Sequence, residues 1–328
     1  MRVLITGGAG FIGGNLSHEL ARLGHSVTAL DDLSNGRRRN LEGSGADLIV
    51  GSILDVDTLT TVAAEADAIV HLAARSSVPR SLDDPIASHM ANASGTLNVL
   101  DAARRVGGRQ VIIASSSSVY GANAELPKRE TAATRPMSPY AASKLAAEAY
   151  ALAYGTSFGL PTLAFRFFNV FGPLQAAGHA YAAVIPAFAD AALRGAPITV
   201  HGDGTQSRDF THVTTVCRTI SAALERGVSN PDPVNLAFGS RITLNEVLDM
   251  ISAQVDAPLV IHNTENRVGD VPHSQADPTQ LRSLFPDVAP IDFEIGLTAT
   301  VDWMRTEIAR GTIDLVHGLT PYEERAAA

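Results

Sequence analysis

The sequence of 328 residues predicts an α/β fold, in which a doubly wound parallel sheet is joined to a smaller α/β lobe. Two observations lead to this prediction. Residues 1–172 alternate short β-branched runs with longer stretches rich in Ala and Leu, a pattern typical of a parallel sheet with helices on both faces. After residue 172, glycine and proline interrupt shorter elements, which indicates a second architecture.

Six short apolar runs are the candidate strands of the large sheet. They are Val3–Thr6, Ser26–Leu30, Asp47–Val50, Ala68–Leu72, Gln110–Ser115 and Thr162–Phe167. A seventh run, Val234–Ala237, is expected to return to the same sheet, so the domain boundary is discontinuous. The predicted domains are 1–172 with about 213–240 for the sheet, 173–212 and 241–316 for the lobe, and 317–328 for a tail.

Composition excludes several classes of protein. The formal charge is −9, which disfavours the concentrated basic face of a nucleic-acid-binding protein. No window reaches the roughly 18 uninterrupted apolar residues of a membrane span, and the chain enters a strand at Arg2 without a charged leader. We therefore expect a cytoplasmic protein with no membrane partner. Cys217 is the single cysteine, so neither an intrachain disulfide nor a metal site built of several cysteines is expected.

A glycine-rich turn follows the first strand. Gly7, Gly10 and Gly13 stand between that strand and an apolar helix, where missing side chains allow a pyrophosphate to approach the backbone. Asp31 ends the second strand, about 20 residues further on, where a carboxylate binds the hydroxyls of an adenosine ribose. This carboxylate would repel a 2′-phosphate and favours NAD over NADP, although the nearby run Arg37–Arg39 could reverse the preference.

A second group of residues has the composition of a redox site. Tyr140 and Lys144 are four residues apart and share one face of a predicted helix, and 23 residues separate Ser116 from Tyr140. A tyrosine hydroxyl titrates near pH ~10, so its use as a base requires positive charge nearby. Lys144, together with a cationic nicotinamide, would favour the phenolate. Ser116 would hydrogen-bond the oxygen of the substrate hydroxyl group while hydride leaves the carbon that carries this oxygen.

Five motifs resemble those of the extended short-chain dehydrogenase/reductase family. They are Gly7-x-x-Gly10-x-x-Gly13, His71–Ala74, Ser115–Gly121, Tyr140-x-x-x-Lys144 and Arg166–Pro173. Within that family the chain is most similar to the UDP-sugar 4-epimerases, over residues 1 to about 305. The resemblance implies a Rossmann fold for the sheet domain, a nucleotide-sugar site in the C-terminal lobe, and NAD as the cofactor.

The resemblance also implies roles for individual positions. Ser116, Tyr140 and Lys144 match the catalytic residues. The cofactor-lining positions are Gly7, Gly10, Phe11, Ile12, Gly13, Asp31, Asn35, Gly36, Ser52, Ile53, Leu72, Ala73, Ala74, Asn92, Ser115, Tyr140 and Lys144. The family often has aspartate where this chain has Ser52, so the adenine contact differs here.

The substrate-lining positions fall mostly in the second lobe. They are Ser116, Ser117, Asn169, Val184, Ile185, Thr199, His201, Arg208, Arg267, Asp270 and Ser274. By resemblance, Arg208 and Arg267 contact the UDP diphosphate, which suits two guanidinium groups, and Asp270 binds the uridine ribose. The alternative is that both arginines only pair with surface acids. His201 can equally be an ordinary structural histidine.

The residues beside Ser116 favour epimerisation over neighbouring reactions. Related dehydratases carry Asp-Glu directly after the catalytic hydroxyl residue, and decarboxylases often carry Glu at the second position, whereas this chain has Ser117-Ser118. The family often has a tyrosine where this chain has Ser274, so the smaller residue leaves room for an N-acetyl group at C2 of the sugar. UDP-glucose, UDP-galactose and their N-acetylated counterparts are therefore the expected substrates. UDP-glucuronate remains an alternative substrate, because Arg75 or His179 could bind its C6 carboxylate.

Two further hypotheses concern assembly and activity. The stretches Ile86–Val106 and Tyr140–Phe158 are predicted to be long helices, and the resemblance implies that they pair across a dyad in a homodimer with a four-helix bundle. A dehydratase or decarboxylase on the same scaffold remains an alternative, and a non-catalytic NAD-binding regulator is a remote one. The presence of Ser116, Tyr140 and Lys144 together favours an enzyme.

Overall fold

The computed structural model describes residues 1–177, 182–265 and 271–312. Within these residues, seven parallel strands form the main sheet, in the order β3-β2-β1-β4-β5-β6-β11. The strands are β1 Arg2–Thr6, β2 Ser26–Asp31, β3 Asp47–Val50, β4 Ala68–His71, β5 Gln110–Ser116, β6 Thr162–Phe167 and β11 Val234–Leu236. Every predicted strand is confirmed to within one residue at each end. The seventh strand does return to the sheet, because β11 pairs with β6.

Helices cover both faces of this sheet. The helices of the chain are α1 Phe11–Arg22, α2 Val56–Ala64, α3 Val78–Asp83, α4 Pro85–His89, α5 Gly95–Arg105, α6 Pro139–Phe158, α7 Val184–Leu193, α8 Val213–Glu225, α9 Leu244–Ser252, α10 Thr279–Leu284 and α11 Phe293–Ala309. Successive side chains of β1 point to opposite faces, as the period of two requires. Val3 and Ile5 pack in a core with α1 and α8, whereas Leu4 packs in a second core with α2, α5 and α6. The predicted doubly wound α/β fold is confirmed.

The stretch predicted as one helix from Ile86 to Val106 is interrupted. A π-helical turn, Met90–Ser94, lies between α4 and α5. Such turns insert one extra residue and are frequent at functional sites. Here the turn contains Asn92, whose side chain is almost completely buried.

The lobe has its own strands and its own core. Its strands are β7 Asn169–Phe171, β8 Ile198–His201, β9 Ser207–Arg208, β10 Phe210–His212, β12 Ile242–Thr243 and β13 Ile261–Thr264. They pair as β7 with β10, β8 with β13, and β9 with β12, of which the last pair is antiparallel. A separate core cluster collects apolar side chains of α7, α9 and α11, and it includes Phe171 of β7. The division at residue 172 stays a prediction.

The sheet brings chemically active residues to one edge. Thr6, Asp31, His71 and Ser116 are the last residues of β1, β2, β4 and β5, and all four strands run in the same direction. The crevice beyond the carboxyl ends of parallel strands is where α/β proteins bind ligands. None of the helices in the described ranges is both long and apolar enough to span a membrane.

Candidate active site

The glycine turn between β1 and α1 is packed so tightly that side chains are excluded. Gly7 has φ +72°, and a Cβ at this position would lie 2.6 Å from the backbone nitrogen of Ala73. A Cβ on Gly13 would lie 2.3 Å from the carbonyl oxygen of Gly7. Gly10 is the N-cap of α1 and provides no side-chain hydrogen bond to the first amides of the helix. Uncapped amides at a helix N-terminus bind phosphate groups, so the turn fits the pyrophosphate of a dinucleotide.

Asp31 lies beside this turn at the end of β2. Its carboxylate accepts hydrogen bonds from the amides of Ala9, at 3.0 Å, and Leu33, at 2.8 Å. Burial raises the pKa of Asp31, while these two bonds act in the opposite direction. Each carboxylate oxygen accepts one of the two bonds and keeps capacity for another, which suits the two hydroxyls of a ribose. Gly36 approaches closely, since a Cβ there would lie 2.6 Å from Oδ1 of Asp31.

The other predicted ribose and adenine positions have defined partners. Asn35 accepts a hydrogen bond from the guanidinium group of Arg80. Ser52 accepts one at its Oγ from the amide of Leu54, at 3.2 Å. The side chain of Ile53 is buried in the core under Gly95, so a ligand at this position would contact its backbone or its edge. Arg39, from the basic run that could favour NADP, donates a hydrogen bond to the carbonyl of Thr312.

The segment after β4 lies against the glycine turn. Leu72 donates its amide to the carbonyl of Thr6 at 2.9 Å, and Ala73 is the neighbour that a side chain on Gly7 would strike. Ala74 follows and is partly exposed. The predicted cofactor-lining residues Leu72, Ala73 and Ala74 therefore lie beside the predicted pyrophosphate site.

Asn92 uses its amide to hold this segment in place. Its Oδ1 accepts from the amide of Arg75 at 2.8 Å, and its Nδ2 donates to the carbonyl of Arg75 at 3.1 Å and to Oγ of Ser143 at 2.9 Å. Ser143 in turn donates to the carbonyl of Tyr140 at 2.8 Å. Asn92 was predicted to line the cofactor. In the structure its side chain connects the segment after β4 to the first turn of α6.

The three predicted catalytic residues meet at the end of β5. Tyr140 is in the first turn of α6, which begins after Ser138, whose side chain accepts from the amide of Ala141. The side chain of Ser116 lies close enough to lower the pKa of the Tyr140 hydroxyl. Lys144 is buried and donates from Nζ to the carbonyl oxygen of Ala114, two residues before Ser116, at 2.8 Å. A hydroxyl pair and an ammonium group are thus fixed above one strand end.

Burial dominates the electrostatics of this group. It lowers the pKa of Lys144 to about 8 and raises the pKa of Tyr140, against which the hydrogen bond with Ser116 acts. Lys144 and a nicotinamide were predicted to lower the pKa of Tyr140 together. Among the protein's own groups the net direction is upward, because burial disfavours the phenolate. An oxidised nicotinamide, when bound, would supply positive charge that favours the phenolate.

His71 lies below Lys144 and is held neutral. Its Nδ1 lies 2.6 Å from Oγ1 of Thr6 and its Nε2 lies 2.9 Å from Oγ1 of Thr96. Because Thr96 donates its own proton to the carbonyl of Asn92, it must accept from Nε2 of His71. Burial first, and the charge of Lys144 second, lower the pKa of His71 to about 3. Sequence reasoning had not given this residue a role.

In the lobe, the structure brings three of the predicted substrate-lining segments together. Ser274 donates its amide to the carbonyl of Ser207 at 3.0 Å, and Nη1 of Arg208 donates to the same carbonyl at 3.0 Å. Asn169 donates from Nδ2 to the carbonyl of Asp209 at 3.2 Å. Arg267 and Asp270, which were also predicted here, lie outside the described residues.

The remaining predicted positions differ in exposure. Ile185 is buried in the lobe core, so its side chain is structural, and Val184 beside it is partly exposed at the start of α7. Thr199 is exposed on β8, and His201 at the end of that strand has Nδ1 2.8 Å from Oγ1 of Thr264. Ser117 is partly exposed directly after Ser116.

Asp209 is a buried carboxylate that joins three segments of the lobe. It accepts hydrogen bonds from the amides of Gly239, Ser240 and Ala276 and from Oγ of Ser240, at 2.9–3.2 Å. Burial raises its pKa to about 6, although every one of these bonds lowers it. The residue follows Arg208 directly, so it fixes the backbone from which that arginine extends.

Comparison with known proteins finds relatives over almost the whole chain. The model of the NAD dependent epimerase/dehydratase family matches residues 3–237. The UDP-glucose 4-epimerase of Mycolicibacterium smegmatis is 35% identical over 94% of this chain and 99% of its own length. A UDP-N-acetyl-alpha-D-glucosaminuronate decarboxylase of Bacillus cytotoxicus is 34% identical over 93% of this chain and 98% of its own length.

A solved structure resembles the chain in the same way. The UDP-N-acetylglucosamine 4-epimerase of Methanobrevibacter ruminantium, in complex with UDP-N-acetylmuramic acid, superposes with a TM-score of 0.88 at 35% identity. The superposition covers 93% of this chain and 98% of that one. The glycine turn, the Ser116–Tyr140–Lys144 group and these similarities lead to one conclusion: the chain belongs to the NAD dependent epimerase/dehydratase family.

Proposed function

We propose that the protein is an NAD-dependent 4-epimerase of UDP-hexoses. The observation that carries the proposal is the arrangement of Ser116, Tyr140 and Lys144 at the carboxyl end of β5, beside a glycine turn that fits a dinucleotide. Relatives that cover nearly the whole chain carry the same activity in their names. The uridine part of the substrate is assigned from those relatives, and Arg208 in the lobe suits its diphosphate.

The residues at the end of β5 have separate roles in this reaction. NAD, when bound, accepts the hydride from C4 of the sugar and returns it to the opposite face. Tyr140 takes the proton of the 4-hydroxyl group and gives it back, and Ser116 holds the same oxygen through its own hydroxyl. Lys144, fixed by the carbonyl of Ala114, supplies positive charge on the face of α6 that carries Tyr140.

The surroundings of Ser116 support epimerisation over elimination. Ser118 donates to Oγ of Ser116 twice, from its own Oγ at 2.8 Å and from its amide at 3.2 Å. A hydroxyl therefore fills the position at which related decarboxylases often carry a glutamate. A serine hydroxyl does not exchange protons near pH 7 as a carboxyl group does. Oxidation and reduction at C4 need no general acid or base other than Tyr140.

One product assay tests the proposal. The purified protein is incubated with NAD and, separately, with UDP-glucose, UDP-N-acetylglucosamine and UDP-glucuronate, and products are separated by chromatography and weighed by mass spectrometry. A new peak of unchanged mass supports 4-epimerisation and identifies the sugar. A product lighter by water or by carbon dioxide would replace the proposal with dehydration or decarboxylation. No product from any of the three would contradict it.

UDP-glucuronate is included because of Arg75. Its Nε is buried with no hydrogen-bond partner among the described residues, and its Nη2 lies 3.9 Å from a carboxylate oxygen of Asp84. An arginine with spare donors in the segment after β4 could bind a carboxylate on C6 of the sugar. Turnover of this substrate above the other two would favour the uronate 4-epimerase alternative.

We propose further that Ser274 sets the tolerance for substituents at C2. Its backbone is fixed by Ser207, next to Arg208, and its side chain is small. Replacing Ser274→Tyr should fill the space beside C2, lowering kcat/KM for UDP-N-acetylglucosamine by about 10- to 100-fold, as a clash costs about 1–3 kcal/mol. UDP-glucose should be affected much less. Ser274→Ala is the matched control and should leave the ratio of the two substrates unchanged. An unchanged ratio in Ser274→Tyr would remove Ser274 from the sugar site.

We also propose a homodimer in which the stretch Ile86–Val106 and helix α6 pair across a dyad in a four-helix bundle. Four exposed apolar side chains recur at intervals of four residues along α3, α4 and the π-helical turn: Val78, Leu82, Ile86 and Met90. Tyr150 and Phe158 are exposed on α6, with which α3 and α4 are in contact. Exposed apolar side chains on contacting helices mark an interaction surface, and we call this set the apolar strip.

The dimer is tested by placing charge in that strip. Leu82 and Ile86 are 65% and 71% exposed, so their substitution should not disturb the monomer fold. The double variant Leu82→Lys and Ile86→Lys should elute as a monomer in size-exclusion chromatography with light scattering, because four buried charges would face each other across the dyad. Ile295→Lys, at an equally exposed position on α11, is the control and should stay dimeric. A monomeric wild-type protein would contradict the proposal.

A further inference from the structure

We infer that the buried ion pair between Glu148 and Arg166, together with Ser115, positions the catalytic groups, an inference that rests on the proposed function. We call these three residues the buried triad. None of them contacts the proposed substrate carbon. They act through the two elements on which Ser116, Tyr140 and Lys144 are carried.

The triad has a closely defined geometry. Arg166 donates to both carboxylate oxygens of Glu148, from Nη2 to Oε1 at 2.7 Å and from Nε to Oε2 at 2.9 Å. Oε2 also accepts the hydroxyl of Ser115 at 2.7 Å. The side chains of Arg166 and Glu148 are only 4% and 3% exposed. The third guanidinium nitrogen, Nη1, donates to the carbonyl of Glu130 at 3.1 Å, so each nitrogen of the group has a partner.

The triad connects the strand and the helix of the active site. Ser115 precedes Ser116 on β5, so a bond from its side chain fixes the end of that strand. Glu148 lies four residues after Lys144 and eight after Tyr140 on α6, on the same face of the helix. One carboxylate therefore holds β5 against α6. Tyr140 on α6 and Ser116 on β5, which lowers the pKa of the Tyr140 hydroxyl, belong to the same two elements.

Stability does not explain the presence of this pair. Removing two charges from water costs several kcal/mol per ion, and well-packed apolar replacements are often neutral or stabilising by about 1–4 kcal/mol. The pair fixes the orientation of its two side chains, because a bidentate bond between guanidinium and carboxylate tolerates little rotation. Catalysis is sensitive to the position of the catalytic groups, because a misplacement of about 1 Å can lower the rate about 100-fold. A positioning role follows from these two properties.

The test replaces the ion pair by side chains without charge. In the double variant Glu148→Met and Arg166→Met, the melting temperature should stay near or above that of the wild type. We expect kcat to fall about 10- to 100-fold, while KM for the UDP-sugar and the bound NAD content stay unchanged. Asp302→Asn with Arg305→Met, which removes an exposed pair on α11, is the control and should leave kcat unchanged. A double variant with the kcat of the wild type would overturn the inference.

Two further measurements keep the inference testable whatever the first gives. Ser115→Ala removes one bond without leaving a buried charge, so it should fold even if the double variant does not, and its kcat should fall while KM is retained. Absorbance titration of tyrosinate, with Tyr140→Phe as the blank, measures Tyr140 without any substrate. The pKa of Tyr140 should rise in both variants, because a displaced Ser116 no longer lowers it. An unchanged titration would overturn the inference, whereas absent turnover in the wild type would refute only the proposed function.

Discussion

Tyr140→Phe should lose turnover by about 10²–10⁴-fold, the range that general acid–base catalysis contributes, while NAD content and melting temperature stay unchanged. The reason is local. The variant removes one hydroxyl, whose recorded partner is Ser116, and leaves the ring in place on α6. Initial rates of epimerisation, with NAD released by denaturation and measured by absorbance, provide the comparison.

Tyr154→Phe is the matched control for this variant. It removes a hydroxyl from the same helix at a position where the ring packs on Phe158, with ring centroids 4.8 Å apart. Its activity should equal that of the wild type. Full activity in Tyr140→Phe would refute Tyr140 as the base, and an equal loss in both variants would indicate a general effect on α6.

Gly13→Ala should abolish tight NAD binding. A Cβ at this position would lie 2.3 Å from the carbonyl oxygen of Gly7 and 2.7 Å from Cα of Gly8, and neither backbone atom can move without opening the turn. We expect the purified variant to contain no NAD and to be less stable by about 1–3 kcal/mol, the usual cost of overpacking. The measurements are NAD content and denaturant unfolding.

The neighbouring Gly14→Ala provides the comparison. Its Cβ would lie 3.0 Å from Cβ and the carbonyl oxygen of Asn40 and 3.1 Å from Cδ1 of Leu174, which is tight but much less so than the contacts at Gly13. This variant should keep NAD and lose less stability. NAD retained in full by Gly13→Ala would mean that the glycine turn does not form the pyrophosphate site.

The sequence predicted those parts of the protein that depend on local pattern. The strands of the large sheet are short apolar runs, so each could be found by itself. Tyr140 and Lys144 share a helix face because they are four residues apart, and the glycine turn is one continuous motif. The choice of Ser116 from the run of four serines, Ser115–Ser118, followed from the family resemblance.

The contacts that the sequence did not reveal join residues far apart in the chain. Ser115 and Glu148 are 33 positions apart, Asn92 and Ser143 are 51 apart, and Asp209 binds an amide 67 positions later. No periodicity connects such pairs, and they meet only after the sheet and helices have packed. The π-helical turn at Met90–Ser94 was missed for a related reason, since one extra residue does not break the apolar pattern on either side.

The return of β11 to the sheet limits how the chain can be divided. A fragment that ends at residue 172 would contain the glycine turn and all three catalytic residues, yet it would lack the strand that covers the outer edge of β6. Strand β6, Thr162–Phe167, is buried along its whole length and has the sequence Thr-Leu-Ala-Phe-Arg-Phe. An uncovered apolar edge of this kind pairs with other chains. Such a fragment should therefore aggregate, so cofactor binding and sugar recognition cannot be separated by truncating the polypeptide there.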